Sequence, residues 1–183
     1  MCTVKKITNK NLTKIARNIN FVIFDVDGVL TDGGIIIDNK GNELKSFHVR
    51  DGHGIKMLIR AGINVALITG RSSKVVERRA LELGITEVFQ KCFDKRKAYR
   101  ELAEKYSLDD HEVAYIGDDI VDIPLLQRIG LPVVVADADD EVKASALMVT
   151  DKGGGRGAAR EVCDFILKAK GYWKAIIDGY LKT

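Results

Sequence analysis

A repeated alternation of short apolar runs and amphipathic stretches constrains this chain more than any other feature. The apolar runs are "FVIF" at 21–24, "INVALIT" at 63–69, "ITEVFQ" at 85–90, "EVAYIG" at 112–117, "PVVVA" at 132–136 and "ALMVT" at 146–150. Helical periodicity fills most of the gaps, at 72–84, 94–106 and 121–130, with closing helices at 157–170 and 171–182. Ser72 and Ser73 open the first of these and Gly84 stops it, while Pro124 sits in the first turn of the third. A short helix at 12–18 precedes the first strand. Strand–helix alternation of this kind predicts an α/β fold, a doubly wound, Rossmann-like parallel sheet covered on both faces. At 183 residues, 46% hydrophobic and 30% charged, the chain suits one domain, 1–183, with a proper core.

One segment breaks the alternation. After the first strand, "GGIIIDNKGNELKSFHV" predicts a hairpin with arms at 35–37 and 43–49 turning at "DNKG", an insertion over about 33–49. "RDGHG" then leads into a helix at 55–61, stopped by Gly62. The apolar hairpin reads either as an assembly surface or as an arm packed on its own core.

In sheets of this type ligands bind beyond the carboxyl ends of the strands. The first strand ends in Asp25 and Asp27, the second in Thr69, Gly70 and Arg71, and the fourth in Gly117, Asp118 and Asp119. The helix after the third begins near Asp94 and Lys95. Carboxylates converging on one point repel and call for a cation; oxygen ligands suit Mg²⁺. A hydroxyl, free amides at a helix start and a lysine suit a phosphate. Together they point to metal-assisted phosphoryl transfer with a carboxylate nucleophile. Taken singly, Thr69 also reads as a strand-end hydroxyl, Lys95 as a solvated helix residue, and Asp119 and Asp122 as helix caps. Asp119 is expected behind the reacting groups and Asp122 in a structural role.

"DVDGVLTDG", "ITGRSS", "DK" and "GDDIVD" resemble the four motifs of the haloacid dehalogenase-like phosphatases. The resemblance implies Asp25 as nucleophile, forming an aspartyl-phosphate, and Asp27 as general acid and then base. It implies Thr69 and Lys95 on the phosphoryl oxygens, and Asp25, Asp118 and the Asp27 backbone carbonyl on Mg²⁺. Members often carry a cap domain. Here the stretch from Asp27 to Thr69 has room for a hairpin and a helix, and that from Lys95 to Asp118 for a helix and a strand, so no cap is expected. A neighbouring subunit is then the expected cover.

Within that group the chain is similar to the 3-deoxy-D-manno-octulosonate 8-phosphate phosphatases through "FHVRDGHGIK", "ITGRSSKVVERRA", "VVVADA" and "GGGRGAAREVCD". That similarity implies a sugar phosphate substrate, a role in lipopolysaccharide biosynthesis and a homotetramer. It implies substrate contacts from His48, Val49, Arg50, Asp51 and Gly52, and from Asp27, Lys56, Thr69, Gly70, Arg71, Arg79 and Lys95. Lys56 stands where these phosphatases usually have arginine, which keeps the charge and loses the bidentate fork. Without the resemblance, Arg79 reads as a helix arginine paired with Glu82, and His48 as a hairpin surface residue. The glycines at 153–157 read as an anion cradle or a hinge. Phosphatases for nine-carbon sugar acids share the architecture; Arg50 and Arg71 favour the eight-carbon sugar. A phosphoacceptor domain of the receiver type is the alternative of another class, and Asp27 argues against it.

The remaining totals exclude rather than assign. A net charge of +3, spread along the chain, gives no case for nucleic acid. The polar N-terminal segment carries no apolar leader, and no run reaches a membrane span. Cys2, Cys92 and Cys163 have unrelated spacings, which argues against disulfides or zinc and for the cytoplasm.

Overall fold

The computed structural model describes residues 9–182. Cys2 lies outside the described residues. Helix α1 (Asn9–Asn18) leads to strand β1 (Phe21–Phe24), followed by the hairpin β2 (Ile36–Ile37) and β3 (Glu43–Leu44). Then come α2 (Val49–Arg60), β4 (Asn64–Ile68), α3 (Lys74–Leu83), β5 (Glu87–Phe89), α4 (Lys95–Tyr106) and β6 (Val113–Gly117). The chain ends through α5 (Ile123–Leu126), β7 (Leu131–Val134), α6 (Asp140–Lys143), β8 (Met148–Val149), α7 (Ala158–Ala169) and α8 (Trp173–Leu181).

Six strands pair in the order β5-β4-β1-β6-β7-β8, every pair parallel. The chain winds outward from β1 through β4 and β5, then crosses back to β6 on the other side. The carboxyl end of β1 is therefore the switch point where the winding reverses. Strands β1, β6 and β7 are buried at every residue, as strands covered on both faces must be. Helices α1 and α2 both pack on α7, and α8 packs on α7 in turn. The doubly wound sheet with a hairpin insertion is as expected. Between β1 and β4 the chain holds the hairpin and α2, and between α4 and β6 a single 3-10 turn. No cap domain is present among the described residues.

Two local expectations give way. Helix α2 starts at Val49, six residues before the expected 55, so the second hairpin arm is short and His48 becomes its N-cap. Gly52 and Gly54 look like helix breakers, each costing about 1 kcal/mol against alanine. Close packing overrides them. A Cβ on Gly54 would stand 2.9 Å from Arg160 Cδ and 3.1 Å from Cys163 Cβ on α7, and one on Gly52 would stand 2.3 Å from Arg79 Nη2. The glycines at 153–157 are a close-approach device rather than a hinge. A Cβ on Gly154 would meet the Gly28 carbonyl oxygen at 1.7 Å, and the Gly155 amide donates to Val29 O at 2.9 Å. They clamp the loop that follows β1.

The hairpin turns on Asp38, whose carboxylate accepts from the amides of Lys40 and Asn42 and from the Asn42 side chain. Ile35, Ile36 and Ile37 remain more than half exposed, so the arm is not packed on its own core.

Candidate active site

Strand β1 carries Asp25 to the switch point, where the Asp25 amide still donates to Ile116 O on β6 at 2.9 Å. The chain then folds into a tight loop stapled by Thr31. The Thr31 hydroxyl accepts from the amides of Gly28 and Gly33 and donates to Val26 O. This loop presents Asp27 two residues past Asp25. Gly28 holds φ +93°, and a Cβ there would lie 1.9 Å from Asp118 Oδ2. Glycine at 28 thus lets the ends of β1 and β6 approach each other.

Lys95, the first residue of α4, is buried at the centre. Its ammonium lies 2.9 Å from Asp25 Oδ2 and donates to Asp122 Oδ1 at 2.6 Å and to the Tyr115 hydroxyl at 3.1 Å. Three donors meet three acceptors. The Tyr115 hydroxyl in turn donates to Asp122 Oδ1 at 2.5 Å. Asp122 Oδ2 accepts the amides of Asp118 at 2.9 Å and Asp119 at 3.1 Å. Asp122, fully buried, therefore ties Lys95 to the loop that bears Asp118. That is more than the structural role read from sequence. Asp119 is exposed and accepts the Ile120 amide, so it is the cap and does not stand behind the reacting groups. Lys95 is not a solvated helix residue.

Electrostatics set the character of this cluster. Burial raises the Asp25 carboxyl above its ordinary value; Lys95 pulls it down and Asp122 pushes it up, and burial prevails. Burial also raises Asp118, with Asp25 and Asp122 adding repulsion. Burial works against the Lys95 charge, but Asp25 and Asp122 more than offset this and raise it. Asp118 Oδ1 is buried without a hydrogen-bond partner. Oxygens of Asp25, Asp118 and Asp122 lie within 4.8 Å of one another. An orphaned carboxylate oxygen, an all-oxygen donor set and carboxyls held up by mutual repulsion fit a hard divalent cation. Asp122 already accepts four hydrogen bonds, so Asp25 and Asp118 are the carboxylates left to bind it.

Asp27 sits differently. Its Oδ1 accepts from the Lys45 ammonium, and its Oδ2 lies 3.8 Å from Arg71 Nε. Glu43 Oε1 stands 3.4 Å from Lys45 Nζ and 3.2 Å from Arg71 Nη2. Two carboxylates and two cations thus form a closed ring between the β1 loop, the hairpin and the end of β4. Thr69, buried at that end, accepts the Arg71 amide at 3.3 Å. Gly70 lies between them. Neither Lys45 nor Glu43 was singled out from the sequence. The alternation "ELK", which puts both side chains on one face of the arm, is the signal that could have found them.

The other expected contacts gather around α2. His48, Asp51 and Gly52 line a small cavity with Arg79 and with Leu30 of the β1 loop. His48 Nδ1 and Asp51 Oδ2, 3.8 Å apart, are both buried without hydrogen-bond partners. Burial raises the Asp51 carboxyl even though its Oδ1 accepts the Arg160 amide at 2.7 Å. Arg79 does pair with Glu82 at 2.9 Å, but it is mostly buried over the Phe47 ring rather than exposed. Lys56 is half-buried and close enough to Glu82 to help hold it ionised. Val49 and Arg50 point outward on the first turn of α2, with Val49 81% exposed.

A family model described as haloacid dehalogenase-like hydrolase matches residues 80–161. The chain is 52% identical over 155 residues to the curated 3-deoxy-D-manno-octulosonate 8-phosphate phosphatase KdsC of Yersinia pestis, covering 85% of this chain and 83% of that protein. A HAD-superfamily hydrolase structure from Legionella pneumophila superposes with a TM-score of 0.91 at 50% identity, over 95% of this chain and 96% of that one. A Moraxella catarrhalis 3-deoxy-D-manno-octulosonate 8-phosphate phosphatase, solved with magnesium, phosphate and KDO, superposes with a TM-score of 0.92 at 40% identity, over 94% and 99% of the two chains.

Proposed function

This chain belongs to the 3-deoxy-D-manno-octulosonate 8-phosphate phosphatases of the haloacid dehalogenase-like hydrolases, and from that membership we propose the reaction and the residues that carry it. The enzyme is a phosphatase that hydrolyses 3-deoxy-D-manno-octulosonate 8-phosphate to the free sugar acid and phosphate. The observation that carries the reading is the convergence of Asp25, Asp118 and Lys95 at the switch point, with Asp27 two residues beyond.

In the proposed sequence, an Asp25 oxygen attacks phosphorus as the ester P–O bond breaks. Asp27 gives its proton to the departing sugar oxygen, leaving an aspartyl-phosphate and the free sugar acid. Water then attacks phosphorus, its proton passes to Asp27, and the bond to Asp25 breaks to release phosphate. Thr69 and Lys95 hold the phosphoryl oxygens throughout. Asp25, Asp118 and the Asp27 carbonyl would hold Mg²⁺, whose positive charge would offset the negative charge on the phosphoryl oxygens. His48, Val49, Arg50, Asp51 and Gly52, with Lys56, Gly70, Arg71 and Arg79, are the residues proposed to receive the sugar acid. Its carboxylate calls for the cations among them.

The same reading assigns the protein to lipopolysaccharide biosynthesis, in the cytoplasm, as a homotetramer. No helix among the described residues is long and apolar enough to cross a membrane. The exposed isoleucines of β2 support a hairpin-mediated assembly, and a catalytically competent monomer in light scattering would refute it. The test of function is Mg²⁺-dependent phosphate release from a panel. It contains the eight-carbon substrate, a nine-carbon keto-deoxy sugar acid 9-phosphate and common sugar phosphates. Preference for the eight-carbon ester is expected. Preference for the nine-carbon ester would overturn the substrate, and retention of a phosphoryl group without turnover would return the phosphoacceptor reading.

A further inference from the structure

Lys45 lies on the hairpin, the most exposed part of the fold near the site, yet its side chain is only 1% exposed. A hairpin lysine would ordinarily extend into water. This one turns inward, and its ammonium is taken up by Asp27 Oδ1, with Glu43 Oε1 3.4 Å away. Burying an ammonium is costly unless it is paired, and here two carboxylates flank it. The consequence for Asp27 is asymmetric. Oδ1 is held, while Oδ2 is buried and has no hydrogen-bond partner. Arg71 Nε, at 3.8 Å, is too far to bond it. One oxygen is anchored by a hydrogen bond; the other faces the Arg71 charge but accepts no hydrogen bond.

We propose that Lys45 is a positioning residue for the proton-transfer carboxylate: it anchors Asp27 through Oδ1 so that Oδ2 is the oxygen that exchanges the proton with the leaving group. Glu43 holds Lys45 in place and also carries Arg71 at 3.2 Å, so the hairpin, not the core sheet, orients this half of the site. The inference rests on the acid–base role given to Asp27 above. A short side chain on a loop needs such an anchor, because a displaced carboxylate loses the hydrogen-bond reach that proton transfer requires.

The test uses leaving-group demand. A sugar alkoxide departs only with a proton, whereas 4-nitrophenolate departs without one. Lys45→Met keeps the length and apolar stem and removes the anchor. The measured quantity is kcat/KM, which reports the step in which the ester bond breaks. The alkyl ester is whichever sugar phosphate the wild-type enzyme turns over best, so a wrong substrate assignment leaves the test intact. Expected is a fall of about tenfold or more on the alkyl ester and less than about threefold on 4-nitrophenyl phosphate, from the usual worth of general-acid catalysis. Lys45→Arg should recover part of the alkyl activity. Equal falls on both esters, with or without a lowered melting temperature, would make Lys45 merely structural and overturn the proposal. No fall on either would overturn it as well.

Discussion

Replacing Asp122 by asparagine tests whether the centre of the site is held as the geometry implies. The carboxylate is fully buried and used on both oxygens. Oδ1 takes Lys95 and Tyr115, and Oδ2 takes the amides of Asp118 and Asp119. Asparagine offers one acceptor oxygen and one donor group. Whichever way it turns, two donors lose their acceptor and face an NH₂ instead. A buried donor left unsatisfied costs about 1–3 kcal/mol, so two cost about 2–6 kcal/mol. One effect opposes this: the Asp122 charge raises Asp25 and Asp118, and removing it relieves that repulsion. The net expectation is therefore at the low end, about 2–3 kcal/mol. Urea unfolding without added metal reads it directly. With a slope of about 2–3 kcal/mol/M the midpoint should fall by about 1 M at unchanged slope. The kcat should fall too, because Lys95 and the Asp118 loop lose their shared anchor. A midpoint within about 0.2 M of wild type, well inside the slope-based expectation, would refute the four-bond account of Asp122.

Three further outcomes are expected. Asp25→Asn should abolish phosphate release while leaving the melting temperature equal or higher, since a buried carboxyl raised by burial is removed; full activity in this variant would eliminate Asp25 as nucleophile. Gly28→Ala should add about 1–2 kcal/mol of backbone strain and push Asp118 aside from the 1.9 Å approach. Its signature is a large increase in the Mg²⁺ concentration needed for half-maximal rate, and an unchanged requirement would count against Asp118 as a ligand. Asp25 and Asp118 have folded-state pKa values raised above those of the unfolded chain, so the folded state binds more protons. Metal-free stability should then fall as pH rises from the ordinary carboxylate range towards neutrality. Added Mg²⁺ should raise the melting temperature more at pH 7.5 than at pH 5, and an equal rise at both would sink this account.

What the sequence determined by itself was local. Strand and helix order follows from periodicity over a few residues, and the carboxylates, Thr69 and Lys95 stand at strand ends or helix starts that adjacent residues define. Their convergence needed only the general rule that parallel strands present their carboxyl ends together. Tertiary structure decided the rest. Helix α2 runs from Val49 through Gly52 and Gly54, where Arg79 and α7 leave no room for a Cβ, and a helix propensity scale carries no term for a neighbour 109 residues away in sequence, as Arg160 is from Asp51. Asp122 becomes the hub of the site because Tyr115 and Lys95 reach it from β6 and α4, across separations of 7 and 27 residues. Lys45 reaches Asp27 from 18 residues along only because the hairpin folds back over the β1 loop. A charged side chain announces itself in sequence as a charge. Whether it is solvated, or buried as the partner of a carboxylate, depends on which surfaces exclude water from it, and packing alone settles that.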